Sequence, residues 1–343
     1  MDVIRSAGGV DHLSGYVPLV MGHHFVRIAY EGAIAVRSGN PEVGVPALAA
    51  LLQDKYASIT ARTRHLTKLL DNTKKSHTEV LTDLASEMNL HHETLTGNAI
   101  PLVRLLETDL GLYYLDRARI GATIPIAYRL GLRPTRTASI SGADLRAVSE
   151  EWGGTLAVLG AIALDPSEPT PTLELSGLRI GYRDRLASKY LPTRFDPQFP
   201  PELKLLLLLI EGDLNTARLL LPRTSPGHEG AVFRAQVVTA YHCLSALDQI
   251  CDEHTAWDTH NLLRLRSLLS DEPTQRLLSP GGTKVRNRSV HYEMNDPAIV
   301  PDLARPMYGL VEAVYPERTW EAFDTDVREV TGRAAELLAD WNP

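Results

Sequence analysis

Cysteine and long apolar runs are scarce in this chain, and each shortage excludes a class of protein. With 2 cysteines in 343 residues, a disulfide-stapled secreted scaffold is ruled out. Cys243 and Cys251 both fall in one helical stretch, about 12 Å apart at roughly 1.5 Å per residue, too far to bridge. They read as core thiols of a reducing compartment. The longest purely aliphatic run, Leu205 to Ile210, is far short of the roughly 18–20 residues that span a bilayer. The N-terminus has no basic patch followed by an apolar stretch. The expectation is therefore a cytoplasmic protein with no membrane partner.

Neither sign of charge dominates. Lys+Arg 35 against Asp+Glu 42 leaves a net charge of −7, which argues against a dedicated nucleic-acid coat protein. The acidic excess is concentrated at the end, where residues 293–343 hold 11 acidic and 4 basic groups. Such a stretch reads either as a solvated helix face or as an acidic segment competing with an anionic ligand for the cations just before it.

What is present in quantity is helical periodicity. Leu48, Leu52, Tyr56, Ile59, Leu66 and Leu70 recur at three- and four-residue steps, with Pro46 suited to a first turn. A second helix runs through Val80, Leu84 and Met88, and Leu102 to Tyr114 and Leu145 to Leu164 keep the same period. Seven of the 22 prolines lie between Pro166 and Pro201, where helical periodicity fails. At 44% hydrophobic residues, the chain can build two compact units. The expected fold is all-α: a helical bundle domain over 1–165 with a possible regulatory or sensor role, a Pro-rich linker over 166–200, and a helical domain over 201–343. The alternation around Ser176-Gly177, from Thr172 to Tyr182, allows a small β-hairpin in the linker. Beyond Pro201 helices are expected over Leu203 to Leu221, Glu229 to Cys251, His260 to Leu269, and after Ser279-Pro280-Gly281-Gly282. The first is apolar around most of its circumference, as befits the middle of a four-helix bundle.

One segment is chemically sharp: Arg286-Asn287-Arg288-Ser289-Val290-His291. With Lys284 it puts three cations within five residues, read as the N-terminal end of a helix, where backbone N–H groups and the macrodipole favour an anion. His291 can take and return a proton near pH 7.

Here the chain resembles the HEPN superfamily, four-helix bundles carrying an Arg-x(4–6)-His motif often written Arg-Asn-x-x-x-His. The resemblance covers roughly residues 200–343 and does not extend to residues 1–165. It implies a metal-independent endoribonuclease without cofactor, acting on RNA as a homodimer whose two motifs line a shared cleft. It also implies a setting in toxin–antitoxin or antiviral defence systems, with an antitoxin or regulatory partner. His291 would deprotonate a ribose 2′-OH, giving a 2′,3′-cyclic phosphate. Arg286 would stabilise charge on the phosphoryl oxygens, and Asn287 would orient the histidine or the phosphate. Lys284, Arg288 and Tyr292 would bind RNA phosphate. Helix geometry pulls against one role: about 100° per residue sets Arg286 about 140° from His291, whereas Asn287 and Arg288 share the histidine's face. One subfamily is modified on a tyrosine two residues after the histidine. Glu293 stands there instead, and Tyr292 is one residue early.

Two alternatives stand beside this reading. The same bundle could be a non-catalytic HEPN-like module for RNA or nucleotide binding or for dimerisation. The N-terminal helices could instead form a metalloenzyme, since Asp83, Glu87 and His91 share one helix face. The adjacent pairs His23-His24 and His91-His92 point their members in different directions, and the Walker spacing around Gly281-Gly282-Thr283-Lys284 is absent. His242 and Arg234 are each within reach of the bundle cleft.

Overall fold

The computed structural model describes residues 75–129, 179–223, 227–291 and most of 300–342, with parts of 22–35, 60–71 and 146–157. The described residues are mostly helical, with one small sheet. The expected helix from Leu48 to Leu70 lies mainly outside them, as does the stretch 172–178 of the expected hairpin.

α1 spans His77–Leu95 and begins in a capping box. Ser76 accepts from the Glu79 backbone N–H, and the Glu79 carboxylate accepts from the Ser76 N–H, so two otherwise open donors are satisfied. Val80, Leu84 and Glu87 are its buried residues. The expected helix from Leu102 to Tyr114 is corrected: only Pro101–Arg104 forms a helical turn, and Leu110–Leu115 is strand β1. Leu-Gly-Leu-Tyr-Tyr-Leu is a short apolar run with a glycine and two tyrosines, and such runs fit a strand buried on both faces as well as a helix turn. β2, Ala118–Ala122, pairs antiparallel with β1 across a tight turn in which Asp116 takes a left-handed φ of 55°. β3, Ile180–Arg185, pairs antiparallel with the other edge of β1, giving the order β2-β1-β3. Ile180 to Tyr182, the end of the expected hairpin, thus pairs with a distant strand.

After β2 comes α2, Thr123–Arg129. Pro201–Leu219 forms α3, and every residue from Leu203 to Ala217 is buried. A helix apolar all round has no face for water, and α3 is enclosed by α1, by β2, and by the later helices α4 (Glu229–Glu253) and α8 (Trp320–Asp340). Its polar side chains are matched one by one. Glu211 pairs with Arg119, Asp213 with Arg129, and Asn215 donates to the Arg119 carbonyl at 2.8 Å. At Gly212 an added Cβ would stand 3.1 Å from the Ile120 carbonyl oxygen, so glycine lets α3 lie against β2.

Between α4 and α8 lie α5 (His260–Ser270), α6 (Glu272–Leu278), α7 (Pro280–His291) and a short helical turn, Leu310–Val314. α7 packs on α4 and α6. Leu66, Leu84, Leu112 and Ile124 from before residue 166 share one apolar core with Leu207, Leu247, Val285 and Trp341. Cys243 and Cys251 are buried free thiols.

Candidate functional site

Ser279 and Pro280 open α7. Pro280 occupies the first helical position, where its missing N–H costs nothing, and the Ser279 hydroxyl accepts from the Gly282 N–H at 3.1 Å. A Cβ at Gly282 would fall 2.0 Å from the Leu277 carbonyl oxygen, so only glycine permits this close turn out of α6. The early start corrects one expectation. Arg286 is the seventh residue of α7 and His291 the twelfth. The motif therefore lies beyond the free N–H groups of the first turn, which would attract an anion.

α7 buries Gly282, Val285, Arg286, Ser289 and Val290, a three- and four-residue spacing that makes one inner face. Arg286 is on that face and Arg288 is half-buried beside it. The Arg286 guanidinium donates to Asn287 Oδ1 at 2.6 Å and to Asp71 Oδ2 at 2.7 Å. It stacks over the Tyr241 ring with Cζ 4.4 Å from the centroid. His291 Nδ1 lies 2.8 Å from Glu31 Oε2, and Arg64 pairs with the other oxygen of Glu31. Lys284 is exposed, and Tyr292 lies outside the described residues.

The N-terminal half thus supplies the carboxylates that hold the motif. Burial alone would raise the Glu31 carboxyl, but the hydrogen bond with His291 and the charge of Arg64 outweigh it and keep its pKa below the usual range. Asp71 ends a 3-10 turn, Leu69–Asp71. Burial again pushes it up, and His242, Arg286 and Lys68 pull it down further. His242 Nδ1 is 3.2 Å from Asp71 Oδ2. Burial drives the His242 pKa down to about 3, with the Arg286 and Arg27 charges acting the same way against Asp71, so this imidazole is neutral.

A second polar group adjoins the first. His23 and His24, expected to point apart, have ring centroids 3.9 Å from each other. With Asp213 they offer ligand atoms within 4.8 Å of one another. Arg129 already occupies this group, pairing with Asp213 and hydrogen-bonding His23 Nε2, and a second cation, Arg27, is close by. Burial first, then these neighbouring charges, hold both imidazoles neutral. A metal ion would have to displace Arg129, so the donor set suits a cation-held carboxylate better than a metal.

Asp83, Glu87 and His91 form no such group. Asp83 pairs with Lys75, and among the described residues the His, Cys, Asp and Glu donor atoms close enough to share one ion are those of His23, His24 and Asp213. Among the described carboxylates of the acidic stretch after the motif, Asp326 pairs with Arg276 and Arg318, Asp324 with Arg328, and Glu336 with Arg218. Arg234 lines a separate pocket of about 370 Å³ with Ile28, Met307 and Tyr308.

Sequence reasoning missed Arg27, Glu31, Arg64, Lys68 and Asp71. Their spacing is a signal, since Arg27 and Glu31, and Arg64 and Lys68, stand four residues apart and so share helix faces. Nothing in that spacing indicates that these faces meet α7. Comparison with protein-family models, with curated proteins and with solved structures finds no match to this chain.

Proposed function

We propose that the chain is a metal-independent endoribonuclease of HEPN type in which Arg286 and His291 act on an RNA phosphodiester. One observation carries this reading: both motif side chains turn into a single polar cluster, anchored by Asp71 and Glu31, instead of pairing with each other or facing water. A base held through Nδ1 by a carboxylate keeps Nε2 for the reacting hydroxyl, which is the arrangement general base catalysis needs. His291 takes the 2′-OH proton, the oxygen attacks the adjacent phosphorus, the P–O5′ bond breaks, the 5′ oxygen takes a proton from water and leaves as a hydroxyl, and a 2′,3′-cyclic phosphate remains. Arg286 lies ready to face the phosphoryl oxygens. Asn287, hydrogen-bonded to Arg286, orients that guanidinium, and Lys284 and Arg288 attract the RNA backbone.

The same observation supports a closed state, since Asp71 occupies Arg286 where a phosphate would bind. The N-terminal half then acts as the regulatory element, in keeping with a toxin or defence effector held in check. A homodimer is supported by Leu95, Ile100, Leu102, Leu105 and Leu106, all exposed. All five fall within twelve residues of sequence, a concentration of exposed apolar side chains that suits an interface. No helix among the described residues is long and apolar enough to cross a membrane. The proposed place of action is the cytoplasm, where RNA substrates are met.

The test is incubation of the purified chain with a panel of RNAs in EDTA, followed by analysis of the new ends. Products ending in 2′,3′-cyclic phosphate support the reading. Intact RNA across the panel refutes it, and salt-sensitive binding without products would establish the non-catalytic module instead.

A further inference from the structure

Of Arg27, Arg64, Arg129 and Arg286, Arg27 is the one arginine without an ion pair among the described residues. Its side chain is buried, at 3% exposure. One terminal nitrogen donates a long 3.4 Å hydrogen bond to Thr67 Oγ1, and the other meets no hydrogen-bond partner among the described residues. The carboxylates around it are already taken: Glu31 by Arg64 and His291, Asp71 by Arg286, and Asp213 by Arg129. Four arginines thus face three carboxylates, and His23, His24 and His242 add no negative charge. Lys68 stands half-buried at the rim of the group.

A buried guanidinium without a partner is costly and persists where something else satisfies it. More donors are open in the same place. The Arg286 Nε and the Arg129 Nε are buried and have no hydrogen-bond partner among the described residues. Thr67, which Arg27 meets, stands four residues before Asp71, the partner of Arg286, and the charges of Arg129 and Arg286 both act on Arg27. Asp71 and His291 are the members of the cluster that reach solvent, with side chains 30% and 26% exposed.

We propose that Arg27 and Arg286 form the two arms of a receptor for a phosphate oxyanion, built jointly by the N-terminal half and α7, and that its occupant is a phosphodiester of RNA. The positive charge in excess suits an anionic occupant. Open donors on separate side chains suit a tetrahedral anion, whose oxygens point in several directions, better than a planar carboxylate. Entry requires Asp71 to leave Arg286, and the diester then takes its place beside His291. The identity of the occupant rests on the nuclease reading; the anion receptor does not.

The experiment measures thermal unfolding and ligand titration of the full chain with inorganic phosphate, with acetate, and with a 2′-O-methyl RNA oligonucleotide that cannot be cleaved. Parent, Arg27→Met and Arg27→Lys are compared. The parent should be stabilised by phosphate and by the oligonucleotide but not by acetate. Arg27→Met should melt higher than the parent without ligand, because the uncompensated charge is gone, and should bind both phosphate ligands at least about tenfold more weakly. Arg27→Lys should melt within a few degrees of the parent and also bind at least about tenfold more weakly, because the fork is lost.

Unchanged binding in both variants, or an Arg27→Met protein that melts lower without ligand, overturns the proposal. Equal stabilisation by acetate overturns the choice of phosphate. Binding of phosphate without the oligonucleotide overturns RNA as the occupant. If both ligands bind through Arg27 while unmodified RNA stays intact, the nuclease reading fails and the receptor stands. If RNA is cut and Arg27 variants bind as the parent does, the reverse holds.

Discussion

Replacing Glu31 by Gln tests whether the N-terminal half holds the motif histidine. The Glu31 side chain is 2% exposed and serves both Arg64 and His291. A hydrogen bond to a charged group contributes about 1.5–3 kcal/mol, and breaking a buried pair costs about 3–5 kcal/mol because a charge is stranded. Gln keeps the shape and one acceptor, so a loss near the lower end, about 3 kcal/mol, is expected in urea unfolding followed by far-UV circular dichroism. The decisive quantity is the coupling with His291→Ala in a double-mutant cycle. A direct contact predicts a coupling of about 1–2 kcal/mol at neutral pH, whereas unconnected sites add within about 0.5 kcal/mol. Additivity would show that Glu31 and His291 do not hold each other and would remove the carboxylate-oriented base from the mechanism.

Three further outcomes are expected. Asp71→Asn removes the carboxylate that competes for Arg286, so phosphate or uncleavable RNA should bind about tenfold more tightly, a gain of about 1.4 kcal/mol; weaker binding in titration would count against Asp71 as a competitor. Glu87 is buried, and burial, aided by the Asp83 charge, pushes its pKa up to about 7. Its folded pKa is raised, so the stability it allows is full below about pH 4.5 and is lost as pH rises toward 7. Glu87→Gln should accordingly raise the unfolding free energy at pH 8, by up to the order of 3 kcal/mol, and change little at pH 4; equal effects at both would contradict this. His242 behaves oppositely, because its folded pKa is lowered to about 3. Its stabilisation is full above about pH 6.5 and is lost as pH falls toward 3, at about 1.4 kcal/mol per pH unit. His242→Gln should flatten the acid limb of stability against pH by about one proton, and an unaltered slope would show that the imidazole is solvated.

The parts of this fold legible in sequence are those set by local rules. The burial of α3 follows from its apolar run Leu205 to Ile210, and the helices over 229–253 and 260–270 follow from periodicity and turn residues. β1 reads as helix in isolation because Leu110–Leu115 is too short for its period to discriminate, and its strand state is fixed by β2 and by β3, about 70 residues away. The motif residues stand out by type and spacing. Their surroundings do not, since Glu31 lies 260 residues from His291 and Asp71 lies 215 from Arg286, and such long-range pairing leaves no local trace. Periodicity places the start of α7 a few residues late, enough to carry Arg286 and Arg288 past its first turn. Helix geometry favours Arg288 as the partner of His291 because it asks which residues share a face. Arg286 instead turns inward with Val285 and Ser289, and its long side chain reaches the same polar cluster from another side.

If Arg286 and His291 cut RNA without metal, the most direct measurement is the single-turnover cleavage rate in EDTA of the parent, His291→Ala, Arg286→Ala and Arg288→Ala, with circular dichroism confirming that each is folded. Loss of about 10²–10⁴-fold in His291→Ala and Arg286→Ala, the range of general acid–base catalysis, with a smaller loss in Arg288→Ala, is the predicted result. A His291→Ala protein that cleaves as fast as the parent would contradict the account.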